Sequence, residues 1–211
     1  MADTKKDDWP YWIYLVPRDD VFALGVISLN YGRLENAFRY LFLTVTNMRL
    51  EHVAAVFHRL QNPARIAVFQ ELIPVSDLPE WLHAPLSDFA DGFGDCAEQR
   101  HAIMHSYSTG HHTTVGKPGE RGIVLLKYSK SGRRLVCAAN QTKLRAIADD
   151  MDALGQHGAA LDTYIKHIRT LRAAGHDYSP VPPTPLPDKP QLQAALDWLP
   201  LNTGPDIPFL W

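Results

Sequence analysis

The chain has 211 residues, a formal net charge of −2 and two cysteines. That length allows one sizeable core plus an appendage, and the near-neutral charge argues against a general nucleic-acid coat, though not against a local basic site. Cys96 and Cys137 stand far apart in apolar surroundings, which excludes a disulfide framework and metal-knuckle spacing, and no stretch reaches the length of a membrane span.

Residues 1–18 form a polar lead followed by Trp9-Pro10-Tyr11-Trp12-Ile13-Tyr14, which predicts an irregular N-terminal arm covering the core. The lead has no apolar stretch of signal-peptide type, so the expected setting is soluble and cytoplasmic, with no membrane partner. Asp19 or Asp20 can cap a long helix. Ile27, Tyr31, Leu34, Phe38, Leu41, Val45 and Met48 follow it in alternating steps of four and three, the spacing of a buried helix face. A second helix is predicted over about 50–61, with Val53, Val56, Phe57 and Leu60 inward. Pro63 suits the first turn of a third over about 63–73, carrying Ile66, Phe69, Leu72 and Ile73.

Pro74 and Ser76-Asp77-Leu78-Pro79 end that helix and open a fourth, about 79–107, with a kink expected at Pro85. Its seam is Leu82, Leu86, Phe89, Phe93, Cys96, Arg100, Ile103 and Tyr107. Gly92 and Gly94 weaken its middle by about 1 kcal/mol each, so a packing or site reason is expected for them. Residues 108–121 read as loop. A hairpin over about 122–138 follows, turning at Ser129-Lys130-Ser131-Gly132 and locally basic through Lys127, Lys130, Arg133 and Arg134. Asn140 or Thr142 caps a fifth long helix, about 142–173, with Leu144, Ile147, Met151, Leu154, Leu161, Ile165 and Ile168 on one face and Gly158 filling a seam position. From residue 176 to 211 prolines dominate. This tail is expected to be extended, with one short helix over about 190–199, and Trp198 and Trp211 predict that it docks. The fold class is therefore all-α: about five helices over 19–175, a small β-hairpin inserted before the last long helix, and a Pro-rich tail.

The organising stretch is Asp95 to Ser106. Arg100 is the only charged residue on the fourth seam, and burying a guanidinium unpaired costs several kcal/mol, so either a carboxylate meets it or the seam opens there into a solvated cleft. Glu35 is one candidate partner. His101 and His105 lie about 40° apart around the helix, with Glu98 on the same face. Histidine suits proton transfer because its ordinary pKa is near 6.5.

Arg100-His101-Ala102-Ile103-Met104-His105 fits a pattern of Arg, a polar residue, three more, then His, on a late bundle helix that ends in a polar loop. In this the chain resembles the HEPN superfamily of helical-bundle proteins, many of them metal-independent ribonucleases, over roughly residues 19–173. The second motif position is often Asn in that family, and His101 departs from it. The resemblance implies a homodimer whose paired motif helices form one composite cleft for RNA, with no cofactor. By the same carry-over Arg100 binds phosphate, His105 is the acid/base, and His101 orients one of them or takes the second role. It also implies a toxin–antitoxin or defence setting in which an antitoxin or other regulatory protein keeps the activity quiet.

Three alternatives stand beside this. In a purely structural reading, His105 caps the helix end and Arg100 pairs with Glu35 or Glu98. A dimeric module of the same fold could keep the motif for binding alone. Glu98-x-x-His101-x-x-x-His105 could instead hold a metal, although a di-iron bundle needs a second Glu-x-x-His and two further Glu from neighbouring helices, where the first helix offers only Glu35 and the last only Asp149, Asp150 and Asp152.

Overall fold

A computed structural model describes residues 18–112, 122–129, 131–177, 182, 185–192 and 195–200. These residues form a helical bundle with a small antiparallel sheet. The helices are α1 (Arg18–Thr46), α2 (Leu50–Arg59), α3 (Asn62–Leu72), α4 (His83–Met104) and α5 (Gln141–Ala173). Strands β1 (Tyr107–His112), β2 (Gly122–Tyr128) and β3 (Arg134–Asn140) lie between α4 and α5, and the two-residue β4 (Leu199–Pro200) adds to β3, giving the order β1-β2-β3-β4. Among the described residues no helix is long and apolar enough to cross a membrane. The aromatic arm around Trp9–Tyr14, the segment Gly116–Gly119, Lys130 and Trp211 lie outside the described residues.

The seams explain the bundle. On α1, Ile27, Tyr31, Leu34, Phe38, Leu41 and Val45 are all buried, and α1 makes its most extensive contact with α5. Phe38 is the hub: its ring lies 5.4 Å from Phe57 of α2, 5.2 Å from Phe69 of α3 and 4.5 Å from Phe93 of α4. One side chain thus fastens four helices, at separations typical of favourable ring pairs. Met48 leaves the seam and is exposed, because α1 stops at Thr46 and Asn47 takes a left-handed turn at φ 52°, a conformation asparagine tolerates. Asn140 caps α5, its Oδ1 accepting from the Lys143 N–H at 2.8 Å. The α4–α5 crossing is tight: a Cβ on Gly158 would lie 2.5 Å from the Phe89 ring. Gly92 makes room for Leu154 of α5 and Leu192 of the tail, and Gly94 for Ile66 of α3.

Four expectations are corrected. Tyr107, expected on the fourth helix's seam, leaves the helix, and 108–112 are strand rather than loop: β1 pairs antiparallel with β2, Tyr107 opposite Leu126 and His111 opposite Ile123, with a register slip between. Its Ser, Thr, Gly and His residues carry no apolar alternation, so its order comes from the ladder with its neighbour. The predicted hairpin is thus the centre of a larger sheet. Pro85 does not kink α4; it lies in the first turn, where its missing N–H is harmless, and the residues before it form a 3-10 turn, Glu80–Leu82. The described residues of 190–199 are not helical. They run as a strap in which Leu196 is buried and Leu186, Leu192 and Trp198 pack on the core. The strap is fastened by Lys189–Asp88 at 3.0 Å, Leu196 N–H to Gln99 Oε1 at 3.1 Å and Lys143–Asp197 at 2.6 Å.

Candidate functional site

The site is built where α4 runs out. His105 is the C-cap residue, its N–H still donating to the His101 carbonyl at 3.0 Å. Ser106 Oγ folds back onto the Ala102 carbonyl, satisfying one of the acceptors that a helix end leaves without a partner. The spacing of four residues puts the His101 and His105 rings side by side, centroids 4.3 Å apart, and both are exposed. Two imidazoles of one chain therefore share one solvated face.

Arg100 starts on the buried seam, flanked by Cys96 and Ile103, and reaches outward. Its guanidinium carbon lies 5.5 Å from the centre of the Tyr31 ring, and its Nε is buried without a hydrogen-bond partner. Among the described residues no carboxylate comes within ion-pair reach of it. Glu35 is not its partner. One turn beyond Tyr31 on α1, Glu35 faces the start of α3, where Arg65 meets it at 2.5 Å. Arg65 also donates to Asn62 Oδ1 at 2.9 Å and to the Phe57 carbonyl. Asn62 in turn donates from Nδ2 to the Tyr31 hydroxyl at 2.6 Å. Tyr31 is thereby fixed at its hydroxyl by α3 while its ring carries Arg100 of α4.

The electrostatics follow from this layout. Burial, and then the Glu35 carboxylate, push the Tyr31 phenol above its ordinary value, against the Asn62 hydrogen bond and the two arginines. The ring stays neutral at neutral pH, so it attracts Arg100 through its face without cancelling the positive charge. The guanidinium keeps donors that an incoming anion can accept from.

The metal set does not close. Among the described residues no three His, Cys, Asp or Glu side chains converge on a common point. Glu98 instead lines a hollow of about 300 Å³ with Asp95, Cys96, Asp150, Met151 and Leu192. Cys96 is no nucleophile: burial first, then Asp150 and Asp95, push its thiol up to about 12. Of the basic hairpin, Lys127 is held over the Trp198 ring at 4.0 Å, and burial lowers its pKa.

The structure thus brings Arg100, His101 and His105 to one end of α4 and assigns Glu35 to another arginine. Tyr31, Asn62 and Arg65 were not anticipated as part of the site. The available signal was the hydroxyl: a tyrosine on a buried seam needs a polar partner, and Asn62 stands just before Pro63 at the start of the third helix. No protein-family model matches the chain, and no curated protein or solved structure gives a significant match.

Proposed function

We propose that this is a HEPN-like, metal-independent RNA-cleaving protein that works as a homodimer in the cytoplasm, with Arg100 and His105 at its centre. The observation that carries this reading is the state of Arg100: a cation held in place by a neutral ring rather than by a carboxylate, at the helix end that also bears two adjacent imidazoles. A structural arginine is expected to be neutralised, as Arg65 is by Glu35. Arg100 keeps its charge for something that arrives.

The chemistry that fits is transfer within a phosphodiester. An imidazole takes the 2′-hydroxyl proton, and the 2′ oxygen bonds to phosphorus. The bond from phosphorus to the 5′ oxygen breaks, and a second imidazole protonates that oxygen. The products are a 2′,3′-cyclic phosphate and a 5′-hydroxyl. Arg100 donates to the non-bridging oxygens as charge builds on them, which is the step its unneutralised state favours. His105 is one of the two imidazoles. The other is His101 of the same chain or a histidine from a second copy facing the first.

The test is cleavage of an RNA oligonucleotide in excess EDTA. Arg100→Ala and His105→Ala should each lower the rate by about 10²–10³-fold, with unchanged circular dichroism. RNA binding without cleavage in the wild type would leave the non-catalytic binding module as the correct reading. Activity that vanishes with EDTA and returns with a divalent ion would overturn the metal-free mechanism.

A further inference from the structure

The outer face of α1 carries a pattern that nothing within the described chain explains. Phe22 and Leu29 are each 71% exposed, and they alternate with Gly25 and Gly32 along a single stripe. The spacing Phe22-x-x-Gly25-x-x-x-Leu29-x-x-Gly32 is that of a helix seam made to pack on another helix. The other helical glycines each admit a neighbour from this chain: Leu154 at Gly92, Ile66 at Gly94, Leu34 at Gly155, Phe89 at Gly158. Among the described residues a Cβ on Gly25 or Gly32 would meet nothing within 4 Å. Glycine inside a helix costs about 1 kcal/mol relative to alanine, and here no described neighbour offsets that cost.

We infer that this face is a self-complementary interface and that its occupant is the same face of a second copy, packed antiparallel about the level of Ile27. The alternation of large and small is its own mirror. When two such helices run antiparallel about that level, Phe22 of one lies opposite Gly32 of the other, and Leu29 lies opposite Gly25, so every large side chain meets a hollow. That is the isologous relation a two-fold axis demands. The charges agree. The four seam positions bear no ionised group, and Arg33 and Asp19 lie on the same side of the stripe. In the paired arrangement the Arg33 of one copy falls within about 3 Å, along the axis, of the level of Asp19 in the other. Arg33 is well exposed, and its ion pair to Asp152 is long at 3.7 Å, so it has room to turn toward the partner.

The centre of this seam is about 140° around α1 from Tyr31. It is therefore separate from any pairing of the Arg100–His105 clefts and does not depend on the ribonuclease reading. A molecule using both contacts would assemble beyond a dimer. A single helix pair falls below the roughly 800 Å² per partner of a standard stable interface, so the association is expected to be weak and concentration-dependent.

The experiment is the mass of the full chain by sedimentation at about 0.1 mM, for the wild type and Leu29→Glu. The expected result is that Leu29→Glu halves the wild-type mass while the thermal midpoint of the monomer is kept. The register is read separately. An equal mixture of Gly25→Cys and Leu29→Cys chains should form a disulfide-linked dimer when oxidised with copper phenanthroline, and neither variant alone should do so efficiently. A monomeric wild type overturns the proposal, since residues 1–17 or a different protein would then be the occupant. So does a Leu29→Glu variant of unchanged mass, or cross-linking of Gly25→Cys to itself, which would mark a parallel arrangement.

Discussion

Two arginines flank Tyr31, each over an aromatic ring, and they differ in what meets their charge. Arg65 is almost enclosed. It meets Glu35, Asn62 and the Phe57 carbonyl, and it lies 4.8 Å from the Phe57 ring centre. Its charge is spent on joining α1, α2 and α3. Among the described residues Arg100 meets an aromatic face and no carboxylate. The first arrangement is what a bundle needs to hold itself together. The second leaves a half-buried cation that no described carboxylate meets, with donors that an anion could accept from. The comparison separates, within a single cluster, a cation neutralised by the fold from one that the proposed chemistry would use.

The comparison can be broken most decisively at Arg100. Arg100→Ala should cost the RNA-cleaving activity about 10²–10³-fold and shift the thermal midpoint little; a large loss of stability with activity retained would reverse the assignment. Arg65→Ala should do the opposite, lowering stability by about 2–4 kcal/mol in denaturant titration because it leaves a carboxylate and a carbonyl without their donor. The lower end is expected since Glu35 is partly exposed. Sharpening comes from the ring between them. Tyr31→Leu keeps apolar bulk but removes the π face, and a cation–π contact of this kind is worth about 0.5–2 kcal/mol, so kcat/KM should fall about 3- to 30-fold. Tyr31→Phe keeps the face and should recover most of that loss.

The smallest effect concerns a histidine of the opposite kind. His101 and His105 are exposed, whereas His157 on α5 is buried near Phe89 and against the strap. Burial pushes its imidazole below the ordinary value. Lys189 adds to this, while the backbone at Asp188 and the Asp88 carboxylate oppose it. The unfolded chain then takes up a proton that the folded chain resists. Stability is full above the ordinary histidine pKa and is lost as pH falls from about 6.5 downward. Unfolding midpoints measured across that window should decline in the wild type and decline less in His157→Gln.

What could be read from the sequence follows the range of each interaction. Helix seams repeat every three or four residues, so Ile27 to Val45 and Leu82 to Ile103 announce themselves. Arg100 stood out because an ionised group broke such a repeat. Tyr31 did not, since its ring obeys the seam and only its hydroxyl departs from it. The Glu35–Arg65 pair spans 30 positions and two helices, and no local pattern marks which of several arginines a carboxylate will choose. β1 was missed for a similar reason: an edge strand of small polar residues is ordered by its neighbour. The strap was expected to dock, yet its extended path depends on seats at Gly92 and Gln99 that exist only once α4 and α5 have come together.

The strap's last turn has a practical consequence. Leu199 and Pro200 lie against Val136 and Leu135, on the side of β3 that β2 leaves open. A proline there has no N–H to offer a further strand, so this edge of the sheet is blunted. Chains shortened ahead of Leu186 would lose several apolar seats and uncover that rim together, turning the β3 edge into a template for stacking between molecules. Labels and fusions attached at the C-terminal end are better carried beyond residue 200 than substituted for what precedes it.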